Sequence, residues 1–105
     1  MENSKRITTV FFRELTDLEL MLSMTLFPDL IQTFPRNNYK LDAMCLDLCA
    51  SMKKFLDVAD TNGFRYRKSG TANIIKAREA FYTKLKSLVE YLTIIEERER
   101  QAHQN

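Results

Sequence analysis

Seven residues past the middle of the chain carry its densest chemistry. Phe64-Arg65-Tyr66-Arg67-Lys68-Ser69-Gly70 interleaves two rings with three cations. Guanidinium and ammonium groups hold phosphates while rings between them stack on unpaired bases, so the pattern suits a nucleic-acid strand. The same residues would also serve if the rings covered the end of a core and the cations stayed in water. Charge around the cluster favours the first use. Residues 36–86 hold 11 basic and five acidic side chains, a balance of +6, while 1–35 and 87–105 stand at −2 each. A net charge of only +2 therefore conceals a basic centre for which phosphodiester is the natural partner.

Other constellations point away from catalysis. Cys45 and Cys49 lie four apart on one helical face, a spacing at which a disulfide would strain the helix. A zinc site would need further thiols or imidazoles, and the only histidine is His103. Both cysteines read as reduced, small apolar residues, and Met21, Met24, Met44 and Met52 as core filler. Arg98-Glu99-Arg100-Gln101-Ala102-His103 resembles the Arg-x4-His motif of the small helical ribonucleases called HEPN domains. It ends at the third-last residue, where helices fray and nothing positions an acid or base, so a solvated mixed-charge tail is expected. Two glycines cannot furnish a Gly-rich phosphate loop, and no Ser-His-Asp set or paired-carboxylate cleft is visible. The chain reads as a non-enzyme without catalytic residues, metal or cofactor.

The elements that position these residues follow from composition and periodicity. One soluble domain of 105 residues, 45% hydrophobic and 29% charged, can bury a single core. The longest uncharged stretch, Leu20 to Pro28, is nine residues, against about 20 for a membrane span. Arg13 interrupts the early apolar run, so no signal-peptide core is present and the cytosol is the expected compartment. Pro28, Pro35 with Asn37 and Asn38, Gly63 and Gly70 punctuate the chain. Between them the apolar spacing is helical. Ile7, Phe11, Leu15, Leu18, Leu22 and Leu26 predict a first helix from about Lys5 to Phe27. Pro28 leaves open either a kinked continuation or a separate short turn. Leu41, Cys45, Leu48, Met52, Phe55 and Ala59 predict a second helix from Asn38, stopped by Gly63. Ile74, Ala77, Phe81, Leu85, Leu88, Leu92 and Ile95 predict a third, capped by Ser69, Thr71 or Asn73. The expected fold is all-α: one domain, an antiparallel up-down bundle of three long helices, with a fourth short one if Pro28 breaks the first.

Short connections force antiparallel neighbours, which has an electrostatic consequence. One end of the bundle should collect Lys5, Arg6, Arg13, Lys53, Lys54, Arg65, Arg67, Lys68, Lys76 and Arg78 against Glu2, Glu14, Asp57, Asp60 and Glu79. The other should hold Arg36, Lys40, Arg98 and Arg100 among six acidic residues. A second apolar row, Cys45, Cys49, Leu56, Ile75, Tyr82 and Val89, is wider than a two-helix contact covers. It suggests a full bundle core, self-association, or a grip on a partner helix, as in a protein-interaction module or a small phage or plasmid regulator.

Phe34-Pro35-Arg36, followed by the amphipathic stretch Leu41 to Ala59, resembles a family of small helical bundles. The family contains the accessory proteins of diversity-generating retroelements and the proteins encoded in ribosomal-RNA intervening sequences. Leu15 to Thr33 and Asn73-Ile74-Ile75-Lys76-Ala77-Arg78-Glu79-Ala80, with Leu85, Leu88 and Leu92, also look like its first and third helices, so the likeness spans roughly residues 10–95. The family's fourth helix has no counterpart after Ile95, and Asp42 stands where a Gly is frequent. The resemblance implies a non-enzymatic subunit, often a pentameric barrel, that binds RNA or DNA and a reverse transcriptase. Together with the charge distribution it assigns nucleic acid to Arg36, Lys40, Lys53, Lys54, Phe64, Arg65, Tyr66, Arg67, Lys68, Lys76 and Arg78.

Overall fold

A computed structural model describes residues 3–61 and 72–104, and among them the fold is all-α, with five helices and no strand. They are α1 (Asn3–Phe11), α2 (Asp17–Met24), α3 (Phe27–Ile31), α4 (Tyr39–Thr61) and α5 (Ala72–Gln104). The two long helices match the periodicity closely. Asn38 starts α4 by accepting the Leu41 amide on its side-chain oxygen at 3.0 Å, a capping bond that satisfies one of the orphan donors of the first turn. Asn37 just before it has φ 65°, a left-handed conformation that asparagine adopts more readily than most residues. The expected stop at Gly63 and the expected caps Ser69 and Thr71 lie outside the described residues, while Asn73, the third cap candidate, falls inside α5. Past Ile95, α5 continues through the charged segment to Gln104.

α4 and α5 are antiparallel. Asn38 meets the Tyr91 hydroxyl at 3.1 Å, Lys40 sits 4.7 Å from the centre of the Tyr91 ring, and Asp47 pairs with Lys84 at 3.9 Å. Their facing stripes supply most of the core: Leu41, Cys45, Leu48, Met52, Phe55 and Ala59 against Ile74, Ala77, Phe81, Leu85, Leu88 and Leu92, all buried.

The N-terminal third departs from the expected single helix. The chain leaves α1 after Phe11 and re-enters helix at Asp17. Thr16 caps α2 by accepting the Glu19 amide at 3.2 Å, while the Glu19 carboxylate takes the Thr16 amide at 3.3 Å. This reciprocal pair is a capping box, and it ends the continuity that Ile7-Phe11-Leu15-Leu18-Leu22 suggested. Those hydrogen bonds from Thr16 hold the Glu19 carboxyl below its usual pKa, so the cap is intact at neutral pH and is lost as the pH falls through the carboxylate range. Pro28 follows Phe27 at the start of α3, where its missing donor costs nothing.

α1 and the α2–α3 arm are themselves antiparallel. Asn3 donates its amide to Glu96 at 2.7 Å, Ser4 donates its hydroxyl to the same carboxylate, and the Asn3 side chain bonds Thr33. At the other end the Tyr82 hydroxyl donates to the Phe11 carbonyl, and Arg78 holds Asp17. The bundle therefore has four layers in the order up, down, up, down, with α2–α3 acting as one bent rod. Phe11 is the keystone, its ring 6.0 Å from Phe27 and 5.9 Å from Phe81.

This reversal moves the apolar face of the N-terminal third. Ile7, Phe11 and Leu15 are buried as expected, but after the break Leu20, Met24 and Phe27 go inward and Leu18, Leu22 and Leu26 stay about half exposed. The second row on α4 and α5 is drawn into the bundle rather than left for an interface: Cys45 is buried, and Leu56, Tyr82 and Val89 pack on the core. Cys49 and Ile75 remain exposed. The two neighbouring leucines of α2 report this register. Leu20→Ala should cost about 2–5 kcal/mol in urea unfolding of a dilute solution, and Leu18→Ala about 0.5 kcal/mol or less. Equal costs would contradict the inward turn of Leu20.

Candidate nucleic-acid interface

The four layers redistribute the predicted basic pole. Lys5 and Arg6 start α1 beside Asp29 and Thr33 and thus lie at the end away from the α4–α5 connection. In their place α2 brings Asp17 and Glu19 to the connection end, so the charge contrast between the ends is smaller than a three-helix bundle would give. The expectation that Lys5 and Arg6 join that pole is corrected by the fold-back of α1. Phe64, Arg65, Tyr66, Arg67 and Lys68 lie outside the described residues.

Arg78 is engaged inward. Its guanidinium pairs with Asp17 at 2.6 Å, donates to the Leu15 carbonyl and lies 5.6 Å from the Tyr82 ring centre. These contacts latch the start of α2 to α5. Burial raises the Tyr82 pKa, opposed by the adjacent guanidinium, so its hydroxyl stays a neutral donor at physiological pH. Arg36 is exposed in the turn before α4, near Pro35, Asn37 and Asp42. Lys53 is exposed on the far side of α4 from α5.

Two of the remaining lysines share a line. Lys40, Asp47 and Lys54 are seven residues apart on α4, two turns each, so they fall on one row of the helix. The contacts of Lys40 with Tyr91 and of Asp47 with Lys84 fix that row on the outer seam between α4 and α5. Lys84 stands across the seam; Lys76, eight residues before it, is level with Lys54 but about 80° further round, on the outer side of α5. All four lysines are exposed or partly so, and Lys40 to Lys54 spans about 21 Å. Asp47 is the acidic group within the row. Point charges on flexible stems along a shallow seam match a phosphate backbone and carry no base readout.

Two residues near this face lie outside the eleven positions assigned to nucleic acid from the sequence. Lys84 shows its role only through the seven-residue spacing that aligns Tyr91 and Lys84 with the α4 row. Tyr39, 90% exposed between Arg36 and Lys40, repeats the ring-among-cations pattern of residues 64–68 and is detectable by the same rule.

The candidates for other chemistry separate. Arg98 and His103 are both exposed on α5, and five residues of helix turn them about 140° apart, so they do not converge on one atom. Among the described residues no three His, Cys, Asp or Glu side chains are grouped to hold a metal ion, and no helix is long and apolar enough to cross a membrane. The cysteines are free, but they differ: Cys45 is buried and Cys49 exposed, so only the first packs as an apolar residue. Burial, aided by Cys49 and Asp42, pushes the Cys45 thiol up to about 11.

No protein-family model, curated protein or solved structure matches the chain.

Replacing Arg78 by Ala should lower stability by about 1.5–3 kcal/mol through the unpaired Asp17 and Leu15 groups, and Lys should not restore it because it cannot bond both. A thermal melt indistinguishable from the parent would remove the latch. A thiol reagent at mildly alkaline pH should label Cys49 promptly and Cys45 only on unfolding. Cys49→Ser should abolish the fast phase, and labelling of both at one rate would contradict the burial of Cys45.

Proposed function

We propose that this chain is a non-enzymatic accessory subunit that binds RNA or DNA along the outer seam of the α4–α5 hairpin. The observation that carries the reading is the row of Lys40 and Lys54 faced across that seam by Lys84, with Lys76 beside it on the outer side of α5, all within the stretch of sequence that holds the +6 balance. Thr61 and Ala72, which flank the Phe64 to Lys68 cluster in sequence, belong to the same hairpin. The resemblance of residues 10–95 to retroelement accessory proteins supports the identity of the partner, a reverse transcriptase served in the cytosol. It is also compatible with four layers, since the α2–α3 arm closes the bundle without a helix after α5.

A second reading is a protein-interaction module or small regulator that grips a partner helix through an apolar face. The half-exposed leucines of α2 favour it. The two readings differ in salt response, because phosphate contacts release counterions and apolar contacts do not.

Anisotropy titrations of a labelled single strand and a duplex over a salt series discriminate them. Changing Lys40, Lys54, Lys76 and Lys84 together to Ala should weaken binding across sequences and reduce the salt slope by about 0.7–0.9 for each phosphate no longer neutralised. Lys5→Ala with Arg6→Ala should leave both unchanged. Replacing Arg65, Arg67 and Lys68 reads the contribution of the cluster independently. Parent-like affinity and slope in the quadruple variant would remove the seam as the interface.

A further inference from the structure

The face opposite the lysine seam is apolar where a solitary bundle would be polar. Leu18, Leu22 and Leu26 stand four residues apart on α2 and its C-terminal end, 50%, 56% and 49% exposed. Their row runs into a groove of about 540 Å³ between α1 and α3, floored by Val10, Leu26 and Leu30 and edged by Lys5, Arg6 and Asp29. One exposed leucine is ordinary, but a row of three continuing into an apolar groove marks an interaction surface.

Charge along this face identifies the occupant. Lys5 and Arg6 outweigh Asp29 at the α3 end. At the other end Glu14 and Glu19 outweigh Arg13, which lies close enough to Glu19 to act on it electrostatically. A face net positive at one end and net negative at the other complements itself when a copy is turned antiparallel. The two-fold axis then falls between Leu22 and Leu26, Leu22 packs beside Leu26 of the second copy, and each Lys5-Arg6 pair meets Glu14 and Glu19 of the other chain. A parallel copy would oppose like charges. The leucine row is short, apolar and continuous, as an isologous patch must be to pack on itself.

We infer that a second copy of this chain covers the α1/α2–α3 face, forming an antiparallel two-fold dimer centred on Leu22 and Leu26. The dimer leaves the α4–α5 seam outward on both subunits, and it does not depend on what that seam binds.

Light scattering behind size exclusion, run on the full chain over a concentration series, tests this. The parent should weigh twice 12.4 kDa at high concentration. Leu22→Glu and Leu26→Glu should each raise the dissociation constant at least about 100-fold by burying an unpaired charge, with helical circular dichroism unchanged because both side chains are already solvated. Lys5→Glu with Arg6→Glu should weaken the dimer about 10-fold or more. Adding Glu14→Lys and Glu19→Gln to that variant should recover it, since glutamine keeps the Thr16 capping box. A monomer at every concentration, a dimer indifferent to Leu22→Glu, or a pentamer, which a two-fold contact cannot build, would each overturn the inference.

Discussion

Two long amphipathic helices packed along one seam leave an apolar trough, and covering it is the constraint from which the rest of this structure follows. Phe81, Leu85 and Leu88 on α5 and Leu48, Met52 and Phe55 on α4 are fully or almost fully buried, which two helices alone cannot achieve. A single N-terminal rod would cover one side of the trough. Folding that segment in two covers both, with α1 against α5 and α2 against α4. Phe11 then reaches Phe27 and Phe81 at once, in tilted and edge-on geometries that add to the area buried.

The fold-back is secured by polar groups at each end. The reversal carries two extra helix termini, whose unpaired amides and carbonyls need partners. The Thr16–Glu19 box serves the start of α2, and Arg78 takes the Leu15 carbonyl just ahead of it. The Glu96 carboxylate receives the first amide of α1, where the helix dipole favours an anion. Among the described residues no buried side-chain nitrogen or oxygen lacks a hydrogen-bond partner. Arg78 thereby serves the turn into α2 and Asp17 at once, with its side chain only partly open to solvent.

The helical class and the long α4–α5 hairpin are legible in the sequence because three- and four-residue spacing of large apolar side chains dominates there. The reversal is written in Thr16-Asp17-Leu18-Glu19, but the apolar row through Leu15, Leu18 and Leu22 runs across it and points the opposite way. Two apolar rows coexist on α2, and sequence spacing does not decide which faces the core. The choice is set by where Phe27 must point to meet Phe11. For the same reason periodicity puts Lys5 and Arg6 at the wrong end, since one missed turn inverts every residue ahead of it. The lysine row is partly legible, as charge alone singles out Lys40, Lys54 and Lys76. What the sequence lacks is the facing helix: only the pairing of Asp47 with Lys84 shows that the row of Lys40 and Lys54 is met across a seam by Lys84.

That seam and the leucine face lie on opposite sides of the bundle, and the order of the layers makes this unavoidable. In a cyclic arrangement of four antiparallel rods, the boundary between α4 and α5 is diagonally across from the boundary between α1 and α2–α3. Charge follows the same division, with the hairpin-bearing stretch at +6 and the N-terminal 35 residues at −2. Like-charged lysine rows on two copies repel, whereas the mixed-charge, leucine-rich arms do not. Association through the arms therefore keeps the basic seams apart and exposed, while association through the seams would bury more lysines than Asp47 can pair, at a cost of several kcal/mol. The distribution of charge thus selects which face can pair with itself and which must stay open to a ligand of opposite sign.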